Sequence, residues 1–301
     1  MRASAATLAV FGLLAAAFSG GASGFSRGNP DIGAENPHIG AGNPDIAALQ
    51  VGLRAHGLYV GTVDGVLGPS TEQAVMRFQR RAGLSPNGFV GPQTRKAFGR
   101  YGRPAPLGRR NLVIGSRGWD VAALQFALAW HGFPSAAFDG VLGAHTDTAL
   151  GKFQVWAGLT PDGTARSSTY AALRKPLPRS PIRLVQPVAG PLGDLFGPRG
   201  NRFHAGIDIP APKGTPVGAA AAGRVVFAAA GAGFGKLVVV EHAHGVKTRY
   251  AHMSRITVRV GQFVTARAKV GLVGATGEAN GPHLHFEVLV RGANVNPLSA
   301  L

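Results

Sequence analysis

The sequence predicts a multidomain α+β protein in which two small three-helix bundles precede an all-β antiparallel domain. Two segments near the N-terminus are copies of each other and have the apolar spacing of short helices. The C-terminal third consists of short β-branched or alternating runs separated by glycine-rich turns. At 301 residues the chain is also longer than one hydrophobic core usually organises, so we expect two or three domains.

The first 22 residues have the pattern of a secretory signal peptide. Arg2 precedes an apolar run from about residue 5 to residue 18, and small residues follow up to Ala22. This run is too short to span a bilayer comfortably, so we expect cleavage and export without stable membrane insertion; a retained anchor is the alternative. Residues 23–44 repeat Asn-Pro and carry little apolar surface, which predicts a flexible spacer.

The two copies align without a gap, residues 45–98 with residues 120–173, at a constant offset of 75. Duplication of one module explains this alignment. We place the modules at residues 45–100 and 115–174, since proline- and arginine-rich linkers follow them. The linkers are expected at residues 101–114 and 175–184.

Each copy has the apolar pattern of three short helices. Asp45 and Asp120 are expected to cap the first helix, which ends near Gly57 or Gly132. The second and third helices are expected to begin at Ser70 and Pro92 in the first copy, and at Ala144 and Ser167 in the second. Glycines of the Asp-Gly-Val-Leu-Gly motif suit the tight connection between the first two helices.

Together, the Asp-Gly-Val-Leu-Gly, Phe-Gln and Ala-Gly-Leu motifs resemble those of peptidoglycan-binding domains, and both copies carry them. The resemblance implies non-catalytic attachment to the bacterial cell wall. At least half of the signature residues are expected to fix turns rather than contact the ligand. The residues concerned include Asp64, Asp139, Gln79 and Gln154.

The C-terminal part contains Gly-Pro-His-Leu-His-Phe-Glu-Val at residues 281–288. His283 and His285 are two residues apart, so an extended strand would place both imidazoles on one face. Glu287 is expected to point away from them if the strand is regular. A second His-x-His pair, His242 and His244, lies in a turn between two strand-like runs and is expected to be solvated.

Two upstream stretches supply further metal-binding side chains. His204 and Asp208 lie four residues apart, and His252 ends a strand-like run. With His285, the first pair forms a set of one carboxylate and two imidazoles that leaves a fourth position open, as in catalytic zinc sites. His252 and His283 would remain as bases. The chain has no cysteine, which excludes thiolate ligands and disulfides.

The order His-x-x-x-Asp, Tyr-x-His, Gly-Pro-His-Leu-His-Phe-Glu resembles the lysostaphin/LytM-type zinc metallopeptidases, and the resemblance spans about residues 185–301. It implies cleavage of peptide bonds in peptidoglycan. It also implies that zinc is bound by His204, Asp208 and His285, and that His252 and His283 are catalytic. The chain departs from the family pattern at Arg267 and at residues 279–280, none of which is a ligand position.

The chain carries 31 basic and 14 acidic residues, a formal charge of +17. Such a charge attracts polyanions, but the basic residues are spread along the chain instead of forming an arm or patch. We therefore expect peptidoglycan and anionic wall polymers as partners, and not nucleic acid.

These observations predict a secreted zinc metalloendopeptidase that hydrolyses peptidoglycan in the cell wall or periplasm, held there by two tandem modules. The alternative is a non-catalytic wall-binding protein that activates another cell-wall hydrolase. A purely targeting role of the modules predicts that deleting residues 45–173 impairs action on whole wall more than on a short soluble peptide.

Overall fold

The computed structural model describes residues 42–102 and 107–301. The predicted signal peptide lies outside these residues, as does the predicted spacer up to residue 41. Within them, six α-helices precede twelve β-strands, in agreement with the predicted order of helical bundles and β domain. In the part of the chain that is described, no helix has both the length and the apolar character that a membrane span requires.

Each repeat forms three helices, as predicted. They are α1 (Pro44–Ala55), α2 (Pro69–Arg81) and α3 (Pro92–Ala97) in the first repeat, and α4 (Trp119–Trp130), α5 (Ala144–Trp156) and α6 (Ser167–Leu173) in the second. The predicted caps are wrong. Proline favours the first helical position, so α1 begins at Pro44, and the Asn43 side chain accepts hydrogen bonds from the Asp45 and Ile46 backbones. Asp120 lies in the first turn of α4 and pairs with Arg110 at 2.6 Å.

The signature side chains of the repeats hold turns, as predicted. Gln50 is fully buried; its Oε1 accepts from the Gly65 N–H at 2.9 Å, and its Nε2 donates to Asp64 at 2.7 Å. In the second repeat, Gln125 makes the equivalent bonds to Gly140 and Asp139. These buried amides satisfy the backbone of the Asp-Gly-Val-Leu-Gly turns.

The two repeats share a hydrophobic core. Helices α1 and α4 pack on each other, and one cluster of buried residues includes Leu49 and Phe98 of the first repeat with Phe126 and Phe138 of the second. Trp119 joins this cluster, and its indole N–H donates to Asp45 at 3.1 Å. The repeats therefore form one packed helical unit instead of two separate modules.

The C-terminal domain is antiparallel throughout the strand pairs that the structure describes. Its strands are β1 (Gly197–Arg199), β2 (Arg202–His204), β3 (Ile207–Pro210), β4 (Pro216–Gly218), β5 (Gly223–Gly231), β6 (Gly235–Glu241), β7 (Val246–Met253), β8 (Arg255–Ile256), β9 (Phe263–Val264), β10 (Lys269–Leu272), β11 (His283–Val290) and β12 (Ala293–Val295). The main sheet runs in the order β12-β11-β7-β6-β5-β9, and β3 also pairs with β11.

Strand β11 is central to this sheet and is buried on both faces except at its first residue. Strand β7 lies on one side of β11, and β3 and then β12 lie along the other. The register places His285 directly opposite Asp208 of β3 and opposite Ala251 of β7. Opposed residues share a face of the sheet, so the pairing itself brings Asp208 and His285 together.

Both repeats form hydrogen bonds with the turn that connects β1 and β2. The backbone N–H of Val63 donates to Gly200 O, and that of Phe138 donates to Asn201 O, each at 2.7 Å. Val63 and Phe138 occupy equivalent positions in the two repeats. Trp130 of α4 packs edge-on against Phe203 of β2, with ring centroids 5.3 Å apart. The duplicated modules thus hold the hairpin that leads into His204.

A second contact joins repeat 2 to strand β12. The backbone N–H of Asn294 donates to Gly132 O at 3.1 Å. Gly132 has a left-handed φ of +90°, and a Cβ there would lie 2.3 Å from Asn294 O. Its equivalent in repeat 1, Gly57, has a φ of +71° but no atom within 4 Å of such a Cβ. Of these two equivalent glycines, Gly132 is therefore the one that both backbone conformation and packing require.

This difference provides a matched test of the interface. Gly57→Ala should lower the free energy of unfolding by about 1–2 kcal/mol, the cost of a left-handed non-glycine residue. Gly132→Ala should lower it by about 1–3 kcal/mol more, because the added methyl group forces repeat 2 away from β12. Thermal and urea unfolding of both variants measure these values. Equal losses would show that the contact adds no stability.

Candidate metal centre and active site

The structure brings His204, Asp208 and His285 together, as the sequence predicts. His204 Nε2 lies 3.0 Å from His285 Nδ1 and 3.1 Å from Asp208 Oδ1. His285 Nδ1 lies 2.8 Å from the same carboxylate oxygen. Among the described residues, this is the group of three whose ligand atoms could hold one metal ion.

The other nitrogens of these imidazoles define the tautomers. His204 Nδ1 lies 2.9 Å from Leu195 O, and a carbonyl only accepts, so this nitrogen carries the proton. His285 Nε2 donates to Glu287 Oε1 at 3.1 Å. In the neutral rings, His204 Nε2 and His285 Nδ1 therefore present lone pairs to each other and to the Asp208 carboxylate.

Three converging acceptors with no hydrogen between them need a cation. A tetrahedral zinc site with bonds of about 2.0–2.2 Å separates its ligand atoms by about 3.3 Å. The observed separations of 2.8–3.1 Å are close to that value. Two imidazoles and a carboxylate are also the donor types of catalytic zinc. The residues present therefore fit the ion.

Without a metal, a proton takes this central position. Burial lowers the pKa of His285, but the carboxylates of Asp208 and Glu287 outweigh burial and raise it to about 9. Burial alone would raise the pKa of Asp208, whereas hydrogen bonds from His204 and His285 hold it well below its usual value. A metal must therefore displace a proton from His285.

His283 and His252 lie beside this group. His283 Nδ1 donates to Gly281 O at 2.9 Å, which leaves Nε2 as a lone pair 3.8 Å from Asp208 Oδ1. His252 Nδ1 donates to Thr276 O at 2.8 Å, so its Nε2 is also free to accept. The two rings have centroids 4.8 Å apart. Burial is the main cause that lowers the pKa of His252; its hydrogen bond to Thr276 acts in the opposite direction, and the charges of His283 and His285 lower the pKa further.

The backbone of His252 is unusual. Ala251, its neighbour in β7, lies opposite His285, so in a regular strand His252 would point to the other face of the sheet. His252 instead has a φ of +59°, a left-handed conformation that is rare for a residue with a side chain. This break in alternation places its ring with its centroid 5.8 Å from that of His285.

Glu287 was expected to point away from the histidines, and this expectation is wrong. Residues 283, 285 and 287 share one face because side chains alternate along a strand. Glu287 is 3% exposed and also accepts from Arg249 at 2.9 Å and from Asn294 at 3.0 Å. Asn294 in turn contacts Gly132, so hydrogen bonds connect repeat 2 to His285. The i, i+2 spacing was a signal that could have found Glu287.

The two histidines of the second His-x-His pair lie in different environments. His242 was expected to be solvated, but it is 7% exposed and lies 2.9 Å from Ala222 O and 2.7 Å from Thr248 Oγ1. It closes the turn after β6, and burial lowers its pKa. His244 is exposed with a φ of +57°, as fits a turn residue. Neither residue belongs to the metal group.

An open groove of about 920 Å³ surrounds the three histidines His252, His283 and His285. Arg199 lines it and donates to Asp194 at 2.8 Å, while the same nitrogen lies 3.6 Å from Asp208 Oδ2. A guanidinium is always protonated and cannot ligate a metal. A groove of this volume can admit an extended chain of several residues next to the metal group.

Comparison with known proteins agrees with this geometry. Residues 202–297 match the family described as "Peptidase family M23", and residues 42–98 and 117–173 match the "Putative peptidoglycan binding domain". The chain thus contains an M23 peptidase domain preceded by two peptidoglycan-binding domains, which confirms both predicted resemblances.

Individual relatives match over the peptidase domain. The DD-carboxypeptidase/endopeptidase Mpg of Neisseria meningitidis serogroup B is 46% identical over 98 residues, which are 33% of this chain and 23% of that protein. The peptidoglycan DD-endopeptidase ShyA of Vibrio cholerae is 43% identical over 97 residues, 32% of this chain and 23% of that protein. The chain therefore spans about a quarter of the length of these curated relatives.

A solved structure, a zinc containing peptidase from Vibrio cholerae, is 38% identical with a TM-score of 0.36. The match covers 37% of this chain and 38% of that one.

Loss of the Glu287 carboxylate should weaken metal binding. Glu287→Ala removes the group that orients His285 and favours its Nε2–H tautomer, and such outer partners typically change metal affinity about 10–100-fold. Glu287→Gln keeps an acceptor and should lose less. The control Glu241→Ala removes an exposed carboxylate that pairs with Lys247. Competition with a chromophoric chelator measures each affinity; equal values for Glu287→Ala and Glu241→Ala would refute the role of Glu287.

Metal binding should also depend on pH. Since the pKa of metal-free His285 is about 9, the proton competes with the ion throughout the neutral range. The apparent affinity for Zn²⁺ should fall about tenfold for each unit that pH is lowered from about 8 to 6. Calorimetric titrations in two buffers of different ionisation enthalpy would measure both the affinity and the released proton. A constant affinity with no proton release would contradict this coupling.

Proposed function

We propose that the protein is a zinc-dependent endopeptidase that hydrolyses peptide bonds of bacterial peptidoglycan. The observation that carries this proposal is the convergence of three lone pairs, from His204, Asp208 and His285, next to an open groove that is lined by two of them and by two further histidines. The peptidase family and the peptidoglycan-binding domains support the reaction class and the substrate.

The ion would supply a polarised water molecule and a Lewis acid for the scissile carbonyl. His283 would act as general base for the attacking water, because its Nε2 lies 3.8 Å from Asp208 Oδ1, next to the position that the ion would take. His252, neutral and held by Thr276, would steady the developing oxyanion or pass a proton to the leaving amine. Glu287 would keep His285 in the tautomer that ligates through Nδ1.

The proposal extends to where the protein acts. The N-terminal signal pattern would export the chain, and the two binding domains would hold it at the cell wall or in the periplasm. The packing described above adds to this role. Because both repeats hold the hairpin before His204, they would support the active site as well as target it. Deleting residues 45–173 would then also impair cleavage of a short soluble peptide.

Replacement of a single ligand tests the function. The purified protein should contain about one equivalent of zinc and release amino groups from purified peptidoglycan, and His285→Ala should lose both. His244→Asn, in the exposed turn, serves as the control and should keep both. Zinc binding without release of amines would refute the enzyme and favour a non-catalytic activator of another hydrolase.

A further inference from the structure

A second cleft lies between repeat 2 and the peptidase domain, with a volume of about 430 Å³. One wall is a face of α5, formed by residues spaced three, four and seven apart. The other wall comes from the strands behind the metal group. The α5 wall consists of His145, Thr148, Ala149 and Lys152, and the opposite wall includes Phe234, Arg249, Glu287, Leu289 and Asn294.

This interdomain cleft adjoins the active-site groove. Phe234 lines both. Its ring centroid lies 6.0 Å from that of His285, and the Arg249 guanidinium carbon lies 5.6 Å from the ring centroid. A chain that leaves the metal group past Phe234 would come next to Arg249 and the face of α5. The two cavities therefore lie side by side, separated at Phe234.

The charge of the interdomain cleft is positive. Lys152 and His145 are exposed, and neither makes a hydrogen bond or ion pair with a residue of the ranges 42–102 and 107–301. Arg249 faces them, and its partner Glu287 is buried beneath it. Arg249 and Glu287 form an ion pair at 2.9 Å, so their charges offset each other. Among the described residues, no carboxylate lies within ion-pair distance of Lys152, and Asp147 and Asp162 line an adjoining pocket with it.

The dimensions suit an extended peptide. His145 and Lys152 are seven residues apart on α5, which corresponds to about 10 Å along the helix axis. An extended peptide covers that distance with about three residues. Apolar atoms of Phe133, Pro134 and Leu289 also line the cleft and can pack small side chains. A short peptide that bears a carboxylate would therefore match both the length and the charge.

We propose that the interdomain cleft binds an acidic segment of the peptide being cleaved, with a substrate carboxylate at Lys152. This inference rests on the proposed function, since the acidic segment would belong to the peptidoglycan peptide that the metal group cleaves. Repeat 2 would then contact the substrate beside the cut bond, in addition to anchoring the protein. Specificity would depend on a carboxylate several residues from the scissile bond.

The duplication provides a matched control for this proposal. Arg77 occupies in repeat 1 the position that Lys152 has in repeat 2. Arg77 is also exposed, but its guanidinium donates to Leu58 O at 3.0 Å within its own repeat, and it lines neither the interdomain cleft nor the groove. Lys152→Glu and Arg77→Glu therefore change the net charge equally, while only the first changes the cleft.

The test measures binding of an intact soluble dimer of cross-linked stem peptides to the full chain. Both substitutions are made in a His283→Ala background, so that the ligand is not cut, and calorimetry gives the Kd. A second ligand has its carboxylates converted to carboxamides. Lys152→Glu should raise the Kd of the acidic dimer about tenfold, because attraction becomes repulsion, and Arg77→Glu should change it less than about twofold. The amidated dimer should bind the parent more weakly and not respond to Lys152→Glu.

Two results would overturn the cleft assignment: equal effects of the two substitutions, or equal effects of Lys152→Glu on the acidic and amidated dimers. Selective binding of polyphosphate over the acidic dimer at Lys152 would also overturn it, in favour of an anionic wall polymer. Hydrolysis by the wild-type chain is measured separately. If the chain releases no amines but the binding difference appears, the cleft proposal stands and the enzymatic proposal fails.

Discussion

The candidate site depends on which ring nitrogen carries the proton in each of four histidines. His204, His252 and His283 each donate through Nδ1 to a backbone carbonyl, and His285 donates through Nε2 to the Glu287 carboxylate. Every ring therefore presents its unprotonated nitrogen to the centre. Backbone carbonyls and one buried carboxylate thus define a site in which, when all four rings are neutral, lone pairs face the space beside Asp208; without a metal, His285 holds a proton there. Such a site is suited to an ion and to accepting protons.

The helical repeats are structurally part of this arrangement. Equivalent residues of the two copies hold the hairpin that ends in His204, and repeat 2 reaches His285 through Asn294 and Glu287. Because the module is duplicated, the same backbone N–H occurs twice, at Val63 and Phe138. These two N–H groups donate to the carbonyls of two neighbouring residues in one turn. Separate modules on flexible linkers would not constrain the ligands in this way. The packing links the two peptidoglycan-binding domains directly to the peptidase domain.

Much of this could be predicted because the signals are local. Periodicity and duplication predicted the six helices, and alternation predicted that His283 and His285 share a face. The predictions were wrong where a neighbouring residue took over the expected role or buried the expected surface residue. Pro44 moved the first cap to Asn43, and Thr248 and the Ala222 carbonyl buried His242. Strand alternation also places Glu287 on the face of His283 and His285. The prediction that Glu287 points away from them was wrong because alternation was applied to the histidines only.

The sequence by itself determined the types of ligand, their order and the helical or extended nature of each segment, since these depend on residues a few positions apart. Tertiary structure alone decided which residues meet. The register of β11 against β3 sets Asp208 opposite His285, and the left-handed backbone of His252 turns its ring toward them. The cleft at Lys152 likewise exists because α5 packs beside the sheet. Pairings across dozens of residues depend on the packing of the whole chain, which no local pattern specifies.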